Sequence, residues 1–158
     1  MKLTGAVLVL LGAFWGIFQY ANALRKELSL IRDLSGALTQ LSGEIRWKNS
    51  TLPEGIRSLH GRKSSGPYFR TISEMLKGQN TLQEAWNNTF TNTSQEITEI
   101  LCNMEWGGDS QRQEGAILYA ARRMTELGEA KQSVLRQREK LCAAAALSAA
   151  GVLVMILM

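Results

Sequence analysis

The two ends of this chain carry no charged side chain, and the stretch between them carries nearly all of the charge. No Lys, Arg, Asp or Glu stands from Leu3 to Phe18 or from Leu141 to Met158; Lys2 alone of the 18 basic residues, and none of the 14 acidic ones, lies outside the stretch between. A helix over Leu3–Ala23, rising about 1.5 Å per residue, matches a hydrocarbon core of roughly 30 Å. Leu141–Met158, at about 27 Å, is just long enough to cross. The layout predicts transmembrane segments at 1–23 and 141–158 around a polar domain at 24–140. Gln19 and Tyr20 suit the interfacial level of the bilayer. Gly12-x-x-x-Gly16 on the first segment, and Ala145, Ser148 and Ala149 on the last, are small enough for two such helices to pack closely.

Charge also sets the expected orientation. Arg25 and Lys26 follow the first segment, and Arg136, Arg138 and Lys140 precede the second. By the positive-inside bias the central domain faces the cytoplasm and both termini lie across the membrane. Ala21-Asn22-Ala23 offers a rival reading as a signal-peptidase site, but the basic residues directly after it oppose export.

The central domain reads as all-α throughout. Leu24, Leu28, Ile31, Leu34, Leu38, Leu41 and Ile45 recur at steps of three and four, so the first helix continues out of the membrane to about Lys48, with Arg32, Asp33, Gln40 and Glu44 on its wetter side. Gly36 and Gly43 allow a neighbour to approach it. Thr51-x-x-Glu54, Thr81-x-x-Glu84 and Thr93-x-x-Glu96 each have the spacing of a capping box, in which a side chain at either end satisfies a free amide of the other. Pro53 is harmless in a first turn, where its missing N–H has no partner. Gly61–Gly66 is a basic, flexible connector, and Pro67 opens a further helix. Gly107-Gly108 ends another, after which Asp109 or Ser110 caps a last helix. That helix keeps Ile117, Ala121, Met124 and Gly128 on one face and runs without a proline into the C-terminal segment. The expected fold is an antiparallel bundle of about six helices, the first and last extended into membrane spans.

Catalytic chemistry is harder to find. His60 has no cysteine or acidic cluster near it and suits a surface or capping position. Cys102 and Cys142 lack any CxxC context and read as small buried hydrophobes kept reduced. Gly107-Gly108-Asp109 lacks the strand, lysine and spacing of a phosphate loop. Asn49-Ser50-Thr51, Asn87-Asn88-Thr89 and Asn92-Thr93-Ser94 match glycosylation sequons, which a cytoplasmic domain does not use. A net charge of +4 is modest, and the basic residues near the ends suit anionic headgroups better than nucleic acid. Trp86 falls in a core pattern, Trp106 suits a loop-stabilising position and Trp47 fits either. The residues therefore point to a non-enzymatic protein with no cofactor, no metal and no nucleic-acid partner.

Several stretches together resemble the stage III sporulation protein AB family of endospore-forming bacteria. They are Lys2-Leu3-Thr4-Gly5-Ala6 leading to Tyr20-Ala21 and Leu24-Arg25, then Thr51-Leu52-Pro53-Glu54-Gly55-Ile56, similar to a Leu-Pro-Glu-Ala helix start. Leu82-Gln83-Glu84-Ala85-Trp86 and Gly108-Asp109-Ser110-Gln111-Arg112-Gln113 follow. The last stands where the family has a Gly-x-Ser-Asp-x-x-x-Gln-like turn, with serine and acid differently arranged and Trp106-Gly107 in place of an aliphatic approach. The resemblance implies a fold similar to the cytoplasmic domain of the type II secretion system F platform protein. It also implies a scaffold in the complex joining mother cell and forespore, at the mother-cell membrane facing the forespore. Its partners are then a secretion-type ATPase, other channel-complex membrane proteins and membrane lipids, and a homo-oligomer is compatible with that role. On this reading Arg62, Lys63, Arg122, Arg123 and Glu126 face partners, while Gly12, Gly16, Ala145 and Ala149 pack in the membrane. A stand-alone membrane regulator or lipid-binding adaptor is the alternative.

Overall fold

The structure is a computed structural model that describes the backbone of residues 2–48 and 51–157; the side chains of 1–14, 17, 48–50, 146, 147 and 149–158 lie outside the description. Six α-helices follow one another among the described residues, with no strand. They are α1 (Lys2–Lys48), α2 (Leu52–Ser58), α3 (Gly66–Lys77), α4 (Leu82–Phe90), α5 (Gln95–Cys102) and α6 (Ser110–Leu157), with a 3-10 turn at Leu59–Gly61 after α2. The all-helical expectation is met. The chain divides into two units, one of Met1–Lys26 with Glu129–Met158 and one of Glu27–Gly128.

Glu27–Gly128 holds the core. The three-and-four stripe of α1 buries Leu28, Ile31, Leu34, Leu38, Leu41 and Ile45, as its period requires. Against it lie Ile56, Leu59, Phe69, Ile72, Trp86, Phe90, Ile97 and Leu101, and α6 adds Ile117, Ala120, Ala121 and Met124. The centre is aromatic: Trp86 meets Phe90 at 5.0 Å, Phe69 at 6.1 Å and Trp106 at 4.6 Å between ring centroids. Its indole N–H donates to the Leu101 carbonyl at 3.0 Å, so even the polar atom of this side chain is satisfied.

Helix ends follow the sequence in two places and depart from it in a third. The Glu54 carboxylate accepts the Thr51 N–H at 3.1 Å. At α4 the exchange is reciprocal, Glu84 accepting from the Thr81 amide at 3.0 Å and the Thr81 hydroxyl from the Glu84 amide at 3.3 Å. The box expected at Thr93 is not formed. Ser94 takes the cap position of α5 without a side-chain capping bond. The Thr93 and Thr98 hydroxyls donate instead to the Phe90 carbonyl, at 2.6 and 2.9 Å. The cap falls one residue later than the spacing suggests, so Thr93 stands before α5 and its hydroxyl serves the end of α4.

Close approaches fall on particular glycines. A Cβ on Gly128 stands 3.3 Å from Ile31 Cγ2, so α6 comes tight against α1 there, beside a Ser35 hydroxyl that donates to the Ala121 carbonyl at 3.1 Å. Gly43, expected to receive a neighbour, has nothing within 4 Å.

In the other unit, Arg25 pairs with Glu139 at 2.6 Å and the Arg138 guanidinium lies 5.0 Å from the Tyr20 ring centroid. The two membrane spans expected at 1–23 and 141–158 fall largely on residues whose side chains lie outside the described ones. Among the described residues no helix is long and apolar enough to cross a membrane. Of the small residues expected to pack there, Gly16 has nothing within 4 Å and Ala145 is exposed. The Gly12 position and the Ala149 side chain lie outside the described side chains.

Candidate functional site

Asp33 stands on the side of α1 that the hydrophobic stripe leaves polar. Its carboxylate gathers the segment between the 3-10 turn and α3. Oδ2 accepts the amide N–H of Ser64 at 2.9 Å, that of Ser65 at 2.7 Å and the Ser65 hydroxyl at 2.9 Å. Oδ1 accepts from Arg62 Nε at 3.0 Å, and Arg62 Nη1 continues to Gln40 Oε1 at 3.0 Å. The guanidinium passes over Gly36, where a Cβ would stand 2.6 Å from Nη2. Asp33, Gly36 and Gln40 lie three and four residues apart, so one helical face reads the whole loop. Burial alone pushes the Asp33 carboxyl up; the Ser65 and Ser64 amides, the Ser65 hydroxyl and the Arg62 charge outweigh it and hold the group below its ordinary value.

Arg62 was expected to face a partner and belongs to this internal clamp, its side chain only 25% exposed. The stretch from Gly61 to Gly66, expected to be flexible, is tied down by it. Lys63 alone of that pair remains exposed.

The surface that does face outwards is on α6. Burying Ile117, Ala120, Ala121, Met124 and Gly128 turns one arc of the helix to the core. The opposite arc presents Arg112, Leu118, Tyr119, Arg122, Arg123 and Glu126, all exposed. Tyr119 is 67% exposed and Leu118 40%, unusual for apolar side chains set among charges. Arg123 pairs with Glu126 one turn on, at 3.1 Å. Three predicted partner-facing residues therefore share one face. Tyr119 and Leu118 were missed, although the period exposes them: neither falls on the stripe of Ile117, Ala121, Met124 and Gly128.

Nothing comparable gathers around the nucleophiles. Among the described residues no group of His, Cys, Asp and Glu has the closeness of a metal site. His60 has its Nε2 buried without a hydrogen-bond partner, so it is less of a surface residue than its sequence suggested. Burial pushes the Cys102 thiol up, against a smaller opposing effect of a hydrogen bond with Thr91, which leaves it a poor nucleophile. Trp106 packs on Trp86 and its backbone N–H donates to Gln83 Oε1 at 3.2 Å, a loop-stabilising position as expected. Trp47 is 79% exposed beneath Arg46.

Residues 2–158 match the family model described as stage III sporulation protein AB. The chain belongs to that family. No curated protein and no solved structure matches it. The segments that carry the resemblance to stage III sporulation protein AB sit at helix starts: Leu52–Ile56 in α2, Leu82–Trp86 in α4 and Gly108–Gln113 entering α6. In the last, Gly108 has φ +95°, a conformation side chains disfavour, and the Asp109 carboxylate accepts the Arg112 N–H at 2.9 Å. The altered order of serine and acid in this stage III sporulation protein AB member thus still yields a cap, from Asp109 and not from Ser110.

Proposed function

We propose that this chain is a non-enzymatic platform of the complex joining mother cell and forespore, coupling a cytoplasmic secretion-type ATPase to membrane components of the channel. Membership of a stage III sporulation family supports the setting. The charge-free ends support residence in the mother-cell membrane, with residues 24–140 on the cytoplasmic side. The observation that carries the platform role is the outward arc of α6, where Tyr119 and Leu118 stand exposed between Arg112, Arg122 and Arg123. An exposed aromatic flanked by arginines is the composition of a protein-docking surface. Arg62 is held by Asp33, and the partner-facing residues of this reading are Lys63, Arg122, Arg123 and Glu126. Likeness to the type II secretion F platform protein belongs to this proposal.

The test is recovery of the tagged full-length chain from sporulating cells, cross-linked before membranes are dissolved in detergent. Specific co-recovery of the ATPase and channel components, from the membrane fraction, is expected. A chain that is membrane-bound beside expressed partners yet recovers none of them refutes the platform. If it then binds anionic vesicles selectively, it is a lipid-binding adaptor.

A further inference from the structure

The segment from Gly78 to Gln111 contains Glu84, Glu96, Glu99, Glu105 and Asp109 and not one Lys or Arg. Two of these acids act locally: Glu84 holds the Thr81 amide and Asp109 caps α6. Glu99 lies on the exposed side of α5 opposite the buried Ile97 and Leu101, with exposed Glu96 one turn before it and half-buried Ile100 beside it. Exposed Glu105 follows just beyond the helix. The chain therefore carries an acidic face on α5 and a basic, Tyr-centred face on α6.

These two faces cannot neutralise each other within one molecule. Ile97 and Leu101 of α5 enter the same core as Ile117 and Met124 of α6, so each helix turns its charged side away from a shared interior. Among the described residues neither Glu99 nor Glu105 is in an ion pair, and on α6 Arg123 pairs with Glu126 of the same helix. A second molecule supplies what one lacks, because opposite potentials on two surfaces select partner and register.

We propose that the α6 face around Tyr119 docks on the α5 face of a second copy of this chain. It rests on the platform reading only in taking α6 as a protein-docking surface, and it names the occupant. Arg122 and Arg123 meet Glu99 and Glu105, while Tyr119 and Leu118 lose water against the apolar edge at Ile100. Since the two faces differ, the contact is head-to-tail. Each copy keeps one free face at either end of a pair, so the arrangement extends into a ring or an open array.

Sedimentation of the full-length chain in a neutral detergent tests this at low and high salt. Concentration-dependent association at low salt, weakened at high salt, is expected. Arg122→Glu/Arg123→Glu and, separately, Glu99→Arg/Glu105→Arg each weaken association at least about tenfold. Mixing the two variants, or combining all four changes in one chain, restores it. Tyr119→Ala weakens association without altering any charge, and helical circular dichroism verifies that every variant is folded. A wild-type chain that stays monomeric overturns the proposal. So does sensitivity to the α6 reversal alone, which assigns that face to another acidic protein or to anionic lipid. The platform reading is separable: a monomeric chain that still recovers the ATPase from cells sinks the self-association and leaves the platform standing.

Discussion

Replacing Asp33 by alanine removes one carboxylate and leaves four donors facing nothing: the amides of Ser64 and Ser65, the Ser65 hydroxyl and Arg62 Nε. Ser65 is fully buried, so water cannot readily take over its bonds. A hydrogen bond to a charged group contributes about 1.5–3 kcal/mol, but four bonds to one carboxylate are not additive. The Asp33 and Arg62 side chains are 19% and 25% exposed, and solvent screens part of their attraction. We expect Asp33→Ala to cost about 2–4 kcal/mol and Asp33→Asn, which keeps one acceptor oxygen, about half of that. The acid dependence has a definite sign. The folded-state pKa of Asp33 is lowered, so its contribution is fully present above the unfolded value of about 3.9 and is lost as pH falls through the folded value. Urea unfolding of the full-length chain, followed by tryptophan fluorescence, measures both effects. The gap between wild type and Asp33→Asn should narrow as pH is lowered from about 6 towards about 2. A neutral-pH cost of Asp33→Ala below about 0.5 kcal/mol, or a gap indifferent to acid, refutes the clamp.

Five other substitutions, two of them controls, probe the packing and the helix caps. Gly66→Ala drives a Cβ to 2.6 Å from the His60 carbonyl oxygen, a backbone atom that cannot swing aside; a loss of about 2 kcal/mol is expected in the same urea assay. Gly61, with nothing within 4 Å, is the control, and Gly61→Ala should change little. Trp86→Phe removes the indole bond to the Leu101 carbonyl, which keeps its backbone donors, and leaves a void, costing about 2–3 kcal/mol by thermal or urea unfolding; a neutral result removes Trp86 from the centre of the core. Thr81→Ala should lose about 1 kcal/mol of cap energy while Ser94→Ala loses almost none, because Ser94 makes no capping bond; equal losses contradict the assignment of α5's start.

The parts of the fold legible in the sequence are those governed by local rules. Period alone placed the buried stripe of α1 and its end at Lys48, and cap spacing placed α2 and α4. The Thr93 box failed because α5 starts one residue later, with Ser94 at the cap, while the Thr93 hydroxyl bonds back to the Phe90 carbonyl, and spacing alone does not fix that start. The two membrane segments rest on composition over stretches whose side chains are mostly outside the description, so hydropathy there has no contact to be checked against.

The candidate surface was half legible for the same reason. Basic residues on α6 announce themselves by charge, and Arg122 and Arg123 do stand exposed; Arg62 announces itself equally and is engaged inside the fold. What separates them is a carboxylate 29 positions earlier in the chain, Asp33, with Gly36 one turn on leaving room for the guanidinium. Only the folded chain brings these together. A cation is drawn inwards when a carboxylate distant in the chain claims it, a non-local property, whereas the Arg123–Glu126 pair one turn apart leaves Arg123 exposed. The inverse test finds Tyr119: an aromatic residue off the buried stripe of its helix has no partner in its own core, and 67% of its surface stays in water. Solvent-exposed aromatic area of this kind is stabilised by being covered, which is why the docking proposal places Tyr119 at its centre and makes Tyr119→Ala its charge-neutral control.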